Sequence, residues 1–207
     1  MGPKDWPRRR FLLTLVAVLA ASVSIAGLLL YAANILPMYL FIDWLAAPSL
    51  VTILVLGIFS HRINEAVFLN RLMVGSWLGI VATFAYDLVR VPIWASGLIT
   101  FNTFFTIQQF GEIITNLPPY SFPATVIGWL YHYWNGFGFA VIYTLIAGPV
   151  KWYYALVWAS FLEVGWLLAL PPTLHFKLGF DFVAISLVGH AVYGTVLGWG
   201  SHRFIRS

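Results

Sequence analysis

From Phe11 to Ala33 the chain runs FLLTLVAVLAASVSIAGLLLYAA without a single charged residue. An apolar run of this length suits the hydrocarbon core of a bilayer, which needs about 20 apolar residues per helix. Comparable runs recur along the whole chain, and this recurrence limits the fold more than any other feature. Of the 207 residues, 61% are hydrophobic and only 9% are charged. A soluble domain carries about 25% charged residues, so a water-exposed fold of this size could not cover itself with polar surface. The pattern predicts an all-α polytopic membrane helix bundle forming a single transmembrane domain over 1–207, with the lipid bilayer as its first partner.

Six transmembrane helices are expected, at about 11–33, 45–60, 72–91, 123–147, 152–170 and 180–200. The first follows a basic stretch, as a signal peptide would, but its apolar run exceeds the usual h-region, so it reads as a retained helix. NILPMYLFIDWLAAP, residues 34–48, reads as an interfacial connection punctuated by Pro37 and Pro48. HRINEAVFLNR, residues 61–71, reads as a loop or surface helix. Pro92 is expected to end the third span, and Pro171-Pro172 the fifth. Residues 93–122 are aromatic and amphipathic and contain no Lys or Arg, which suits an outer-face amphipathic or re-entrant segment.

The basic residues set the orientation. With both termini cytoplasmic, the cytoplasmic segments hold Lys4, Arg8, Arg9, Arg10, Arg62, Arg71, Lys151, Arg203 and Arg206, nine of the eleven Lys and Arg. Only Arg90 and Lys177 fall on the other side. This is the asymmetry of the positive-inside rule, and it points to a multi-pass protein of the cell membrane. The net charge of +4 then reflects anchoring at a membrane face, and no nucleic-acid partner is expected. There is no cysteine, which excludes disulfides, thiolate metal sites and thiol nucleophiles.

A few polar residues interrupt the spans. Asp87, His132, Glu163 and His190 come from four different helices, and all fall roughly 7 to 15 Å below the outer boundary at 1.5 Å per residue. An ionisable side chain costs about 2.5 to 3.5 kcal/mol at a helix centre. Four such groups at one depth are therefore expected to face one another around a polar cluster. Arg90, three residues after Asp87, can form an ion pair with it. Asn135, three after His132, shares that residue's face and suits an interhelical hydrogen bond. Gly136 with Ala140, and Gly194 with Gly198, have the small-xxx-small spacing of close helix packing; Gly189 is expected on the same side of its helix as the latter pair.

No metal motif is present. His132, Glu163 and His190 are the residues that could ligate a divalent metal, and the two imidazoles a haem, but no cofactor is predicted because nothing in their spacing favours one. Three functions suit such a chain. They are a small transporter or proton-linked carrier using the polar cluster; a non-catalytic assembly or scaffold subunit with a membrane-protein partner or a second copy; and a membrane-embedded metal or haem enzyme.

Three elements occur in order in the second half: H-x3-G at His132–Gly136, ALVWASFLEVGWLLALPP at 155–172, and GHAVYGTVLGW at 189–199. Over residues 124–200 this arrangement resembles small bacterial multi-span membrane families of unknown function, of the kind called DUF6789 and DUF1440. The corresponding positions are His132, Pro171, His190, Tyr193 and Gly194. The resemblance implies a membrane helix bundle and no particular chemistry.

Overall fold

The computed structural model describes residues 8–99, 101–174 and 177–206; Lys4 and Ser207 therefore lie outside the described residues, as does the side chain of Pro171. Every regular element among the described residues is a helix: α1 (Arg8–Ala21), α2 (Val23–Ala32), α3 (Met38–Arg62), α4 (Ala66–Ala95), α5 (Phe105–Thr115), α6 (Phe122–Ala147), α7 (Tyr154–Leu174) and α8 (Phe180–Phe204). By length and composition α3, α4 and α8 can each cross a membrane, and α1 with α2 make a fourth crossing if that bent pair is one span. α6 is long enough, but Tyr131, His132, Tyr133, Trp134 and Asn135 lie in its middle and hold down its mean hydropathy. The apolar part of α7, Tyr154–Ala169, is short.

Several helices are longer than their prolines suggest. α3 starts at Met38, directly after Pro37, and passes through Pro48; the expected connection over 34–48 shrinks to the residues before Pro37. α4 starts at Ala66 and includes Pro92, so the loop expected over 61–71 is only Ile63–Glu65. α7 continues past 171 and 172 to Leu174. Pro removes one backbone donor and crowds one turn. Where water is scarce, ending the helix would leave several more backbone groups unpaired, so the helix tolerates the proline. Asparagine ends helices here instead. Asn34, Asn64 and Asn116, just beyond α2, α3 and α5, all adopt left-handed backbone (φ 56°, 57° and 55°), which Asn tolerates better than most residues.

The expected first helix is bent by 48° between α1 and α2. The bend falls at Ser22, whose Oγ donates to the Val18 carbonyl at 2.8 Å. Such back-bonding from Ser bends helices.

α4 lies at the centre, with its most extensive contacts to α6 and α8. Small residues spaced four apart on both partners let α4 and α6 meet closely. A β-carbon added at Gly75 would collide with the Thr144 hydroxyl, one at Gly79 would lie 2.6 Å from Phe137 Cα, and one at Gly136 would collide with Thr83. Tyr193 of α8 closes the joint by donating its hydroxyl to the Gly136 carbonyl at 2.7 Å. Gly194 packs against Ala155 and Ala159 of α7, and Gly198 against Trp152 and Ala155. Gly189 does not share that side. It faces Tyr86 of α4, as Gly200 faces Leu78, because five residues at 100° each turn it well away from Gly194 while eleven return nearly to the same azimuth.

Within 93–122 the structure has the amphipathic helix α5. Thr106, Ile107, Phe110 and Ile114 lie on its buried side. It sits on the first half of α6, where Gly111 meets Ala124 and Gly128 meets the Ile107 carbonyl.

Polar contacts gather several helix ends at one end of the bundle. Glu65 accepts from Arg9 Nε (3.1 Å) and Nη2 (2.7 Å) and from Arg10 Nε (3.3 Å). Arg71 Nη1 donates to the Leu145 carbonyl, Asn70 bridges Phe204 and Arg206, and His202 Nδ1 meets the Val150 carbonyl. The hydrogen bond from Arg9, with the nearby Arg10 charge, holds the Glu65 carboxyl below its ordinary value. A carboxyl lowered on folding stabilises the fold above its unfolded pKa, and that contribution fades as pH falls through the lowered folded value. Arg9 is half exposed, so the contribution is no more than about 1 kcal/mol. Thermal melts should show wild type losing its advantage over Glu65→Gln as pH is lowered from neutral to below about 4; a constant difference would mean that the carboxylate charge contributes nothing.

Candidate functional site

The ionisable residues of four helices meet in one region, as two carboxylate–imidazole pairs. In the first, Asp87 of α4 accepts from Arg90 Nη2 at 2.6 Å, and both its oxygens lie 3.1 Å from His132 Nε2 on α6. Arg90 is the expected i, i+3 partner. Its Nη1 also donates to the Thr103 carbonyl at 3.1 Å, tying α4 to the segment that leads into α5. The guanidinium rests 4.3 Å from the Tyr86 ring centroid and 4.7 Å from that of Phe104, distances at which a cation is attracted to an aromatic face.

In the second pair Glu163 of α7 reaches His190 Nδ1 of α8 at 2.6 Å and accepts from Ser186 Oγ at 2.8 Å. Glu163 is 1% exposed, and its Oε1 has no hydrogen-bond partner. A carboxylate buried this deeply must be paired or neutralised. The same His190 Nδ1 lies 3.1 Å from the Ser186 carbonyl. Both neighbours are acceptors, so Nδ1 carries the proton and Nε2 keeps a lone pair in the neutral ring. The same reasoning puts the proton of His132 on Nε2, facing Asp87, and the lone pair on Nδ1. Asp87 thus sets the tautomer of His132, and the Ser186 carbonyl, with Glu163 beside it, that of His190, leaving in each neutral ring the other nitrogen with its lone pair.

Tyr86 separates the two pairs. Its ring centroid is 5.9 Å from that of His132 and 5.2 Å from that of His190. His132, Glu163 and His190 therefore do not converge on one point. Among the described residues no group of three or more His, Cys, Asp or Glu could hold a metal ion.

Both imidazoles line a cavity of about 100 Å³, together with Arg90, Asn135, Thr83 and Tyr193. Glu163 and Asp87 stand behind their histidines and do not contribute to the wall. Asn135 Oδ1 is buried without a hydrogen-bond partner; Tyr131 links α6 to α2 by donating to the Ser24 carbonyl at 3.0 Å. α2 and α5 complete the wall with Ile25, Leu28, Thr106, Ile107 and Phe110. Gly136 belongs to both the α4–α6 joint and the wall, whereas Gly194 and Gly198 act at a distance by seating α8 on α7.

Tyr86, Ser186 and the contribution of α5 were not foreseen from the sequence. Tyr86 lies four residues before Arg90, and Ser186 four before His190, so each shares a helical face with a recognised site residue. That spacing was the available signal. Nothing in the sequence pairs α5 with this cavity.

No protein-family model, curated protein or solved structure matches the chain.

Proposed function

We propose that this chain is a small proton-linked carrier of the cell membrane, with six spans, both termini in the cytoplasm and the two carboxylate–imidazole pairs as its proton-handling site. The observation that carries the reading is the pairing itself. Asp87–His132 and Glu163–His190 come from four helices, each imidazole lines the cavity, and each keeps one basic nitrogen. Intramembrane ionisable groups that line a cavity are what proton relays use, and imidazole changes charge in the physiological range.

The six-span arrangement draws support from the two ends of the bundle. Arg9, Arg10, Arg71, His202 and Arg206 meet other helix ends at the same end of the bundle, while α5 and Arg90 belong to the other. Counting the bent α1–α2 pair, α3, α4, α6, α7 and α8 as spans places those basic residues in the cytoplasm, as the positive-inside rule requires. Reporter fusions at Asn116 and at the C-terminus should then give opposite readouts. The same readout at both positions would exclude three spans between them, and with them the six-span arrangement.

The carrier reading is tested by charge movement. Protein reconstituted on a solid-supported membrane and given a rapid pH step should produce a transient current, as protons enter a site within the membrane field. Glu163→Gln should reduce the current at least severalfold. A silent wild type would remove the carrier reading.

One observation favours a second reading, an assembly or scaffold subunit. The apolar window of α3 is only 17% buried, which leaves a broad face for lipid, a membrane-protein partner or a second copy. A single mass corresponding to one chain in mild detergent would count against self-association.

A further inference from the structure

We infer that the cavity takes a small monocarboxylate with a short apolar tail, and that protons bound at His132 and His190 accompany it. This inference rests on the proton-linked reading above and names the substrate class of the same site.

Arg90 supplies the first reason. It is 5% exposed and lines the cavity. Nη2 and Nη1 are engaged with Asp87 and Thr103, but Nε is buried without a hydrogen-bond partner. A buried guanidinium donor left unmatched is costly, and a carboxylate oxygen is its natural acceptor. Asn135 lies on the same wall and adds a neutral polar group beside the guanidinium.

The rest of the wall is apolar. Ile25, Leu28, Ile107, Phe110, Phe139 and Leu162 surround the polar groups, which suits a ligand with one polar head and a hydrocarbon tail. The cavity measures about 100 Å³, and at about 10 to 15 Å³ of such space per water it has room for a short-chain carboxylate.

Charge supplies the proton coupling. Asp87, Glu163 and Arg90 sum to −1 when both imidazoles are neutral. The other polar groups at or beside the cavity are Thr83 and Tyr86 of α4, Tyr131 and Asn135 of α6, Trp166 of α7, Ser186 and Tyr193 of α8 and Thr106 of α5, while α2 brings Ile25 and Leu28. A bound monoanion would bring the sum to −2 in a low-dielectric interior, where uncompensated charge is strongly disfavoured. Two protons, one on each free imidazole nitrogen, restore neutrality. No bond between heavy atoms is made or broken; the protons come from the aqueous phase and leave with the ligand.

The test is binding of propionate and butyrate to the full chain in nanodiscs, by calorimetry and thermal shift, with propionamide as the neutral control. Propionate should bind and propionamide should not, and affinity should rise about tenfold per pH unit for each proton taken up as pH is lowered. Asn135→Leu, which fills the cavity without touching either ion pair, should abolish binding while the protein still melts cooperatively. Should that variant fail to fold, the double change Asp87→Asn with Arg90→Gln, which removes both charges, should lose binding instead. Equal binding of propionamide, affinity independent of pH, or no binding of either acid would overturn the inference. Charge movement on a pH step without carboxylate binding would remove this substrate class and leave the carrier reading intact. Carboxylate binding in a protein with no charge movement would remove the carrier reading.

Discussion

Asp87→Asn is expected to lower the thermal midpoint in detergent by about 10 °C. Asp87 is held by Arg90 at 2.6 Å and by His132 at 3.1 Å, and both Asp87 and Arg90 are buried. Neutralising the carboxylate leaves the guanidinium with the Thr103 carbonyl and two aromatic faces, and no counter-charge. Stranding one partner of a buried pair costs about 3 to 5 kcal/mol, and about 2 to 4 °C is lost per kcal/mol in a chain of this size. Adding Arg90→Gln should recover at least half of the loss, because no unpaired charge then remains. Strictly additive losses would show that the two residues act separately and that their contact carries no weight.

The second large effect concerns the α4–α6 joint. Gly136→Ala places a methyl group against Thr83, whose hydroxyl donates to the Gly79 carbonyl at 2.7 Å. Overfilling a packed contact costs about 1 to 3 kcal/mol, and here it also pushes α6, and His132 with it, away from Asp87. Thr83→Ala should be mild alone and should rescue Gly136→Ala in combination. Gly165, with nothing within 4 Å of an added β-carbon, serves as the control: Gly165→Ala should be neutral or slightly stabilising, since Ala favours helix over Gly. Equal losses at positions 136 and 165 would mean that helix propensity, and not the joint, sets the cost.

These two predictions draw on features that were legible in the sequence to different degrees. The ion pair was readable because Asp87 and Arg90 lie one helical turn apart, and spacing within a helix is fixed. The meeting of Asp87 with His132, and of Glu163 with His190, could be approached only through depth. Depth limits which groups can meet and does not say which do. The choice is made by azimuth, and azimuth depends on joints such as Gly79–Gly136 and Gly194–Ala159 that no single helix reveals. Gly189 shows the same limit from another side. Grouped with Gly194 and Gly198 by proximity along the chain, it turned out to face α4 because five residues do not complete a whole number of turns.

The prolines show a different failure. Pro92 reads as a helix end, and Pro48 as punctuation of an interfacial connection, under the rules for water, where a broken helix can hydrogen-bond to solvent. In the structure α3 and α4 run through both, and α3, like α2 and α5, ends next to an asparagine in left-handed conformation. The bend at Ser22 was equally hidden, since a serine in an apolar run gives no warning that its hydroxyl will turn back to Val18. α5 had a readable amphipathic character, but its place on α6 depends on Gly111 and Gly128, two small residues far apart in sequence.

The central claim is that two imidazoles, each beside a buried carboxylate, exchange protons with the aqueous phase. It is tested most directly by ¹⁵N NMR of histidine side chains in the reconstituted protein, with His132 and His190 assigned by substitution. At about pH 8 each ring should show one protonated and one bare nitrogen, Nε2–H for His132 and Nδ1–H for His190. Both should gain a second proton when the pH is lowered. Rings that keep a single neutral tautomer throughout would contradict the claim and leave the two pairs as structural ties between helices.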